Sequence, residues 1–290
     1  MTRLFKYCTA STAKIVLESR SVRWSSPKLF NDPFDLQFDL HLEYDELSLK
    51  QRLRDELWAI YSHQKPLNAR NSFGQILLPW MQTNPGLSRD SFESLVLGSS
   101  LDESLGRANL LLPSVHADLR NKLVGTKVLC LSELHDNILM WSHYSGNHTG
   151  AVLEFHCDDG RQHVLHHAEP VRYRTKMPRL MDEDAMVEFF SGQLELSEKI
   201  ILDETVYVKA TDWAYEKEWR LVWPSDDSSR NFVDVPFEGR DLVGVYFGCR
   251  MSQADFHALR DIICGKYSQA TMYLAKKSQR EFALVFDRVN

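Results

Sequence analysis

The segment WAYEKEWRLVW, residues 213–223, combines charged and aromatic side chains in a run whose composition is otherwise typical of a buried β-strand. Because alternate side chains of a strand point to the same face, the pattern predicts a strand with Glu216, Glu218 and Arg220 on one face. The opposite face carries Trp219, and we expect that face to pack on the core. The sequence therefore predicts two carboxylates and a guanidinium side by side on one strand.

Two interpretations of this charged face stay open at the level of the sequence. The first is a solvent-exposed ladder of charges, which is common in antiparallel sheets. The second is a reaction centre, because carboxylates on one face repel each other unless cations lie near. Tryptophans at 213, 219 and 223 indicate that these charged side chains lie in an enclosed, apolar environment rather than in open solvent. Glutamates beside an apolar wall can have a raised pKa and act as acid, base or hydrogen-bond acceptor.

The composition predicts a soluble globular protein of the cytoplasm. Of 290 residues, 43% are hydrophobic and 26% are charged, and the net charge of −6 disfavours indiscriminate coating of nucleic acid. The five cysteines are scattered and form no CxxC pair, as expected of reduced thiols. Neither a signal peptide nor an apolar run of about 18 residues is present, so no membrane association is expected.

On both sides of the charged segment, strand patterns alternate with helical ones. RLFKYCT, SVRWSSP, KVLCLSE, TGAVLEFHC, NFVDVPF and DLVGVYFG are runs typical of strands, and TMYLAKKSQREFALVFD predicts a closing hairpin. Helical spacing follows the first strand in ASTAKIVLESR, with Ser11 or Thr12 as its N-cap, and recurs in residues 45–61, 181–204 and 252–267. The expected fold class is α+β with a mixed or antiparallel sheet core.

Residues 45–124 differ from the rest of the chain because helical patterns dominate them. We interpret this block as a helical insertion within a single α+β domain of residues 1–290, since strand patterns resume after it. Within the block, residues 65–86 contain three prolines and are predicted to be irregular. Residues 88–98 and 102–124 are predicted to be helical.

Two further boxes contain candidate site residues. In LMWSHY, Trp141, His143 and Tyr144 could be core aromatics with a helix-end histidine, or an aromatic pocket wall with a titratable donor. In FNDPFD, Asp32 and Asp35 could belong to a tight turn or hold a divalent cation. Carboxylates around a proline are a weak metal signal, so we assign no metal ligand. No GxGxxG, GxxxxGK[ST] or HExxH motif occurs.

Taken in order, the boxes LFKY, SPKLFNDPFD, VLCLSE, LMWSHYSGNHTGAVLEF, VRYR and DWAYEKEWR resemble a bacterial family of domains of unknown function, family 2971. The resemblance covers nearly the whole chain except residues 45–124. Its NDPF, MWSHY and YEKEWR boxes are specific in combination. Many members of that family look like accessory or defence genes of bacteria, which implies a similar setting for this protein.

The layout also resembles, more distantly, the core of the ADP-ribosyltransferases. In that superfamily a first strand presents a basic or His residue to NAD, and a helix and a second strand with a Ser-rich end follow. A later strand supplies the catalytic glutamate. LFKY, ASTAKIVLESR, VRWSSP and YEKEW fall in that order. The resemblance implies an ADP-ribosyltransferase fold in which Glu218 stabilises an oxocarbenium-like transition state and Glu216 orients or deprotonates the acceptor.

The same resemblance implies which residues bind NAD. Lys6 and Tyr7 on the first strand would line the pocket, although such enzymes usually have Arg or His there. The serines that end the second strand would brace the nicotinamide ribose, and an aromatic ring of LMWSHY would stack on nicotinamide. The complete set implied for NAD binding is Lys6, Tyr7, Ser25, Ser26, Asn31, Trp141, His143, Tyr144 and Arg220.

The functional hypothesis is therefore a NAD-dependent ADP-ribosyltransferase that modifies a macromolecule, as a toxin or phage-defence effector with an antitoxin or chaperone as a candidate partner. Whether the acceptor is protein or nucleic acid stays open. Two rival functions also stay open. One is a metal-dependent nuclease that uses Asp32, Asp35, Glu154 and Glu218. The other is a non-catalytic binding or sensor module in which the boxes only hold the sheet together.

Overall fold

The computed structural model describes residues 3–37, 40–96, 113, 116–121, 123, 125–156, 164–223 and 229–289. The chain divides into two compact units. Unit 1 comprises Met1–Gln37, Asn121–Thr175 and Lys209–Asn290, and unit 2 comprises Phe38–Arg120 and Lys176–Val208. Unit 2 thus takes in a second segment besides the helical block. The organisation as one domain with an insertion at 45–124 stays a prediction.

The described residues form strands, α-helices and short 3-10 helices. The strands are β1 (Arg3–Cys8), β2 (Ser21–Ser25), β3 (His41–Glu43), β4 (Lys127–Ser132), β5 (Ala151–His156), β6 (Glu169–Pro170), β7 (Arg172–Arg174), β8 (Arg179–Asp182), β9 (Val208–Ala210), β10 (Glu218–Trp223), β11 (Phe232–Pro236), β12 (Leu242–Phe247), β13 (Thr271–Lys277) and β14 (Leu284–Val289). The α-helices are α1 (Ala10–Ser19), α2 (Glu46–Tyr61), α3 (Ser72–Thr83), α4 (Arg89–Val96), α5 (Ile138–Tyr144), α6 (Glu183–Phe190), α7 (Glu198–Val206) and α8 (Gln253–Lys266). Short 3-10 helices cover Pro27–Leu29, Val164–His167, Thr211–Glu216 and Gly239–Asp241.

A mixed sheet of ten strands forms the centre of unit 1, which confirms the α+β class predicted from the sequence. Its main path is β11-β2-β4-β1-β5-β12-β13-β14, and β10 pairs with β4 and with β6. Strands β12 and β13 run parallel, whereas their neighbours in the sheet pair antiparallel. A parallel pair needs a crossover connection, which α8 provides.

One face of this sheet is covered by α1 and α8. Leu17 of α1 and Leu259 of α8 are shielded from solvent in the same apolar cluster. The N-cap of α1 is Thr9, whose side chain accepts a hydrogen bond from the Thr12 amide. The prediction of Ser11 or Thr12 as the cap is therefore wrong by a few residues, because a threonine just before them performs the same role.

The opposite face of the sheet carries an aromatic cluster. Because side chains alternate along β1, Phe5 and Tyr7 point to this face while their neighbours in β1 join the other cluster. Trp141 of α5 is fully buried here and packs edge-on against Tyr7, with 5.7 Å between ring centroids. Its indole donates a hydrogen bond of 2.7 Å to the His135 carbonyl. These contacts hold α5 against β1.

Unit 2 has an apolar core of its own. Strand β3 pairs in parallel with β8, and Leu53 of α2, Phe92 of α4 and Met186 of α6 are completely buried together. Residues 65–86 are not wholly irregular as predicted, because Asn71 caps α3 and the helix accommodates Pro79. The single helix predicted over 181–204 is also wrong. Gly192, with φ 83°, lies between α6 and α7 and ends the first of them.

Some of the remaining predictions concern described residues, and others concern residues outside them. The helix predicted over residues 88–98 is confirmed as α4, whereas much of the helix predicted over 102–124 lies outside the described residues. Four cysteines are free thiols, and Cys157 lies outside that part of the chain. None of the described helices has the length and apolar character that crossing a membrane requires.

The charged segment 213–223 is not one continuous strand, contrary to the prediction. Its first residues belong to a 3-10 helix that ends at Glu216, and β10 begins at Glu218. The face that carries the charges is buried, since Glu218 is 4% and Arg220 0% exposed, while Trp219 is only half-buried. A solvent-exposed charge ladder is therefore excluded for these residues.

Candidate functional site

A cavity of about 350 Å³ opens where β1 and β4 separate in the sheet of unit 1. The two strands pair at a single position, Phe5 with Ser132, and both contribute to the cavity wall. The 3-10 helix before β10, α5 and the FNDPFD loop close the other sides. The lining consists of Phe5, Lys6, Tyr7, Leu29, Phe30, Asn31, Asp35, Cys130, Leu131, Met140, His143, Tyr144, Lys209, Glu216 and Glu218.

Lys209 is the centre of a buried ion cluster in the wall of this cavity. Its ammonium lies 2.5 Å from Glu216 Oε2, 2.9 Å from Glu218 Oε2 and 3.5 Å from Asp35 Oδ2. Each of these four side chains is buried. Ionised groups withdrawn from water are costly unless they are paired, and one ammonium here serves three carboxylates.

Arg220 completes the cluster, which we call the buried ion cluster: Asp35, Lys209, Glu216, Glu218 and Arg220. The guanidinium donates from Nε to Glu218 Oε1 at 2.7 Å and from Nη2 to Asp35 Oδ2 at 2.7 Å. These cations offset the repulsion expected between the two glutamates. Three carboxylates face two cations, so the cluster has one formal negative charge when every group is ionised.

The backbone that carries the two glutamates is held from both sides. Ser132 Oγ donates to the Glu216 carbonyl at 2.6 Å, and the Glu218 amide donates to Tyr173 Oη at 2.8 Å. Between them Lys217 has φ 45° and ψ 52°, a left-handed conformation that costs a non-glycine residue about 1–2 kcal/mol. This turn brings both carboxylates to one ammonium. Strained residues of this kind gather at functional sites.

The FNDPFD loop delivers the third carboxylate. Asp32 accepts a hydrogen bond of 2.9 Å from the Phe34 amide, and the Asp35 amide donates to the Asp32 carbonyl at 3.1 Å. This is the tight turn that Asx side chains favour. The turn places Asp35 against Arg220 and Lys209, so protein cations occupy the position that a divalent cation would need beside this carboxylate.

The two glutamates differ in acidity. Burial acts to raise the pKa of Glu218, but the charges of Arg220 and Lys209 outweigh it and hold that pKa well below the usual range. At Glu216 burial prevails over the attraction of Lys209 and, with the charge of Glu218, raises the pKa. Glu218 is thus a fixed anion, whereas Glu216 is the carboxylate better suited to exchange a proton.

Tyr144 links the buried ion cluster to the mouth of the cavity. Its hydroxyl donates to Glu216 Oε1 at 2.6 Å, and burial together with the nearby Glu216 charge raises the pKa of Tyr144, which keeps the hydroxyl protonated. His143 lies at the exposed rim, with Nδ1 3.1 Å from Tyr215 Oη and its ring 6.2 Å from that of Trp213. Trp213 and Tyr215 therefore lie beside His143 but outside the residues that line the cavity.

Two buried polar atoms of lining residues have no hydrogen-bond partner among the described residues, Asp35 Oδ1 and Tyr7 Oη. Burial raises the pKa of Tyr7, and the backbone of Asn137, which lies beside its hydroxyl, acts to lower it. Buried polar atoms in folded proteins are nearly always paired with protein, water or ligand. Asp35 Oδ1 is thus a buried acceptor in a lining residue that has no partner among the described residues.

The structure brings most of the sequence-predicted site residues together. Seven of them line the cavity: Lys6, Tyr7, Asn31, His143, Tyr144, Glu216 and Glu218. Arg220 is outside the lining and reaches the site through its contacts with Glu218 and Asp35. Trp141 is a core residue that makes no part of the lining, so the rings of that box that line the cavity are those of His143 and Tyr144.

The two serines at the end of β2 are not in the cavity lining. Ser25 pairs with Phe232 and Val128 within the sheet, and the Ser26 amide donates to the Asn231 carbonyl at 2.7 Å. Their predicted contact with a nicotinamide ribose in this cavity is therefore not supported by their position. No residue of β2 lines the cavity, and the chain after β2 enters the lining only from Leu29 onward.

Sequence reasoning missed Lys209, the residue that holds the two glutamates together, and considered Asp35 only as a turn residue or a metal ligand. A signal for Lys209 is present, because it begins the box KATDWAYEKEW seven residues before Glu216. Two glutamates that share a face need a cation, and Lys209 is one candidate beside Lys217 and Arg220. Only the tertiary structure shows that a loop distant in sequence supplies Asp35.

Glu154, a candidate ligand of the rival nuclease, lies away from this cavity. It accepts hydrogen bonds of 2.9 Å from Arg3 Nη1 and from Tyr246 Oη. Asp35 and Glu218 instead share Arg220. Within the described part of the chain, no group of three or more His, Cys, Asp or Glu side chains is placed to hold a metal ion.

The comparison with known families gives one match. Residues 140–221 match the family described as "Protein of unknown function (DUF2971)". This segment includes Tyr144, Lys209, Glu216 and Glu218, and it supports the resemblance seen in the sequence over α5 to β10. The FNDPFD and LFKY boxes lie outside the matched residues. Neither the curated proteins nor the solved structures contain a match to the chain.

Proposed function

We propose that this protein is a NAD-dependent ADP-ribosyltransferase that modifies a macromolecule. The observation that carries the proposal is the buried ion cluster in the wall of a cavity large enough for a small ligand. Buried ion pairs contribute little net stability, because desolvation offsets their attraction. Groups with strongly shifted pKa values gather at functional sites, which favours a reaction centre over a structural role.

The anionic Glu218 carboxylate of the buried ion cluster suits cleavage of the glycosidic bond of NAD. When the bond between C1′ of the ribose and the nicotinamide nitrogen breaks, the electron pair leaves with nicotinamide and positive charge develops on the ribose. Glu218 is ionised at neutral pH, and Arg220 and Lys209 hold its carboxylate in place. A fixed anion in a site of low dielectric stabilises such a developing cation without reorganisation.

Glu216 suits the transfer to the acceptor. As the acceptor nucleophile forms its bond to C1′, its proton passes to Glu216, whose raised pKa makes it the stronger base of the two glutamates. The Tyr144 hydroxyl orients the carboxylate through its 2.6 Å hydrogen bond. The products are neutral nicotinamide, the ADP-ribosylated acceptor and a proton on Glu216 that solvent then removes.

The cavity fits the nicotinamide-ribose end of NAD. Its volume of about 350 Å³ falls within the range of about 300–1,000 Å³ typical of small-molecule sites. Asp35 Oδ1 can accept a hydrogen bond from a ribose hydroxyl or the carboxamide, and the Tyr7 hydroxyl can donate one. Lys6 donates to the Cys130 carbonyl at 3.0 Å, and its ammonium has further N–H groups for the pyrophosphate.

The setting proposed for this reaction is a bacterial toxin or phage-defence effector in the cytoplasm, where NAD is abundant. The defence character of the family that the sequence resembles supports it. An antitoxin or chaperone that covers the cavity mouth would keep such an enzyme inactive until needed. The rim formed by His143 and Asn31, both exposed, is the surface such a partner would contact.

The direct test is transfer of label from NAD. The purified chain is incubated with adenylate-labelled NAD and bacterial lysate, and label in protein and in nucleic acid is measured beside nicotinamide release. We expect transfer by the wild type and at least about a hundred-fold less by Glu216→Gln, which removes the base and retains a hydrogen-bonding side chain. Glu169→Gln is the matched control, because Glu169 is exposed on β6 and outside the cavity lining.

Two results would contradict the proposal. The first is a folded wild type that neither releases nicotinamide nor transfers label, which would favour a binding or sensor module. The second is equal activity of the wild type and Glu216→Gln. Circular dichroism and thermal melting of each variant separate loss of chemistry from loss of fold.

A further inference from the structure

Unit 1 contains a second and larger cavity, of about 520 Å³, at the turn that joins β13 to β14. Ile138 of α5, Cys249 and Leu284 give it apolar walls, and the turn residues 278–283 form its outer edge. No residue of this cavity lines the first one. The proposed transferase chemistry makes no use of it.

Three cations surround this second cavity. Arg250, Lys277 and Arg280 all line it and are exposed, against one acidic lining residue, Glu281. None of the three cations is ion-paired with a carboxylate of the described residues, whereas the adjacent Lys276 pairs with Asp287 at 2.5 Å. A local excess of positive charge in a chain of net charge −6 attracts anions to this place specifically.

Phe282 is the second distinctive feature of the turn. Its side chain is 100% exposed, and it lies two residues from Arg280 in the lining of the cavity. A ligand that covered this ring would remove apolar surface from water, which stabilises the complex. Exposed aromatic rings among unpaired cations are the combination that binds single-stranded nucleic acid, where bases stack on the ring and phosphates contact the cations.

The two cavities are neighbours through α5. This helix contributes Ile138 to the second cavity and Met140, His143 and Tyr144 to the first. The seven residues of α5 span about 10 Å. A strand held at the turn could therefore reach the mouth of the first cavity.

We propose that the turn between β13 and β14, with Arg250, Lys277, Arg280 and Phe282, binds single-stranded nucleic acid. The flanking phosphates contact the cations and a base stacks on Phe282. Duplex DNA is a poorer ligand, because its paired bases present no free face to the ring. In combination with the proposed transferase, on which this part of the inference rests, the bound strand is the acceptor.

The test is fluorescence anisotropy of the full chain with labelled oligo(dT) and oligo(U) of about 12 nucleotides, without NAD, at salt concentrations from about 50 to 200 mM. We expect saturable binding that weakens with salt. Phe282→Ala should weaken it by about fivefold or more. Lys277→Gln and Arg280→Gln should each lower the salt slope by about one. Lys276→Gln, with the same change of charge outside the cavity lining, is the matched control.

Three outcomes would overturn the inference: absence of saturable binding to single strands, equal losses for Lys277→Gln and Lys276→Gln, or tighter binding of an acidic peptide than of either oligonucleotide. Because NAD is left out, the result is independent of the transferase proposal. Binding without any nicotinamide release would refute the transferase alone, and release without binding would refute only this surface.

Discussion

Charged side chains form networks in two regions of this molecule, and the two networks differ in burial. In unit 2, Arg52 of α2 contacts Glu183 and Asp184 of α6 at 3.1 and 2.5 Å, and the arginine is 43% exposed. In the buried ion cluster of unit 1, Arg220 makes contacts of similar length with Glu218 and Asp35 but is 0% exposed. Both networks pair an arginine with two carboxylates, and they differ in how far the arginine is exposed to solvent.

This difference separates a solubilising surface from a candidate reaction centre. Exposed ion pairs contribute about 0–1 kcal/mol each, because water screens them and their side chains lose freedom on pairing. Buried charges lose hydration that their partners only partly replace, so apolar residues of similar size would usually serve stability as well or better. Under the proposed function, the chemistry of the cavity accounts for the burial of this cluster despite that cost.

The largest expected effect is the loss of Arg220. Arg220→Met leaves Asp35 and Glu218 buried without their main counter-charge, so we expect the free energy of unfolding to fall by roughly 3–5 kcal/mol. Urea unfolding monitored by tryptophan fluorescence measures it. A loss below about 1 kcal/mol would show that the cluster is hydrated or rearranged and would remove the contrast between the two networks.

A smaller effect concerns the pH dependence of activity. Glu216 must be unprotonated to act as the base, and its pKa is raised by burial. As the pH falls through this raised pKa, the rate of label transfer should therefore decline at a pH above the usual range of a glutamate. The residual activity of Glu216→Gln should lack that acidic limb. Rate–pH profiles of the two proteins give the comparison, and identical profiles would assign the base to another group.

The smallest expected effect belongs to the surface of unit 2. Arg89 contacts Asp55 and Glu93 and is 43% exposed. Arg89→Ala should change the free energy of unfolding by no more than about 1 kcal/mol and leave label transfer unchanged. The same urea titration measures it beside the Arg220 variant. A loss as large as that of Arg220→Met would show that burial does not distinguish the two regions.

The sequence predicts local elements well and the site in part. Strand alternation identifies β1, β2, β4, β5, β12 and the closing hairpin, and Ser252 is confirmed as the N-cap of α8. Glu216 and Glu218 are recognisable because two carboxylates within an apolar run are unexpected. Tyr144 and Lys6 follow from the family resemblance and line the same cavity.

What the sequence could not predict depends on tertiary contacts. The left-handed conformation of Lys217 converts an apparent strand into a turn, and no local signal marks a lysine for that conformation. Asp35 reaches Arg220 from 185 residues away in the chain. Burial of the charged face could not be predicted either, because the counter-ions that offset the free-energy cost of burying these charges come from separate segments of the chain.

Label transfer from NAD by the purified chain, with bacterial lysate as the source of acceptor, tests the central claim most directly. The account predicts transfer by the wild type and by Glu169→Gln, and at least about a hundred-fold slower transfer by a folded Glu216→Gln. No transfer by a folded wild type, or equal transfer by wild type and Glu216→Gln, would contradict it.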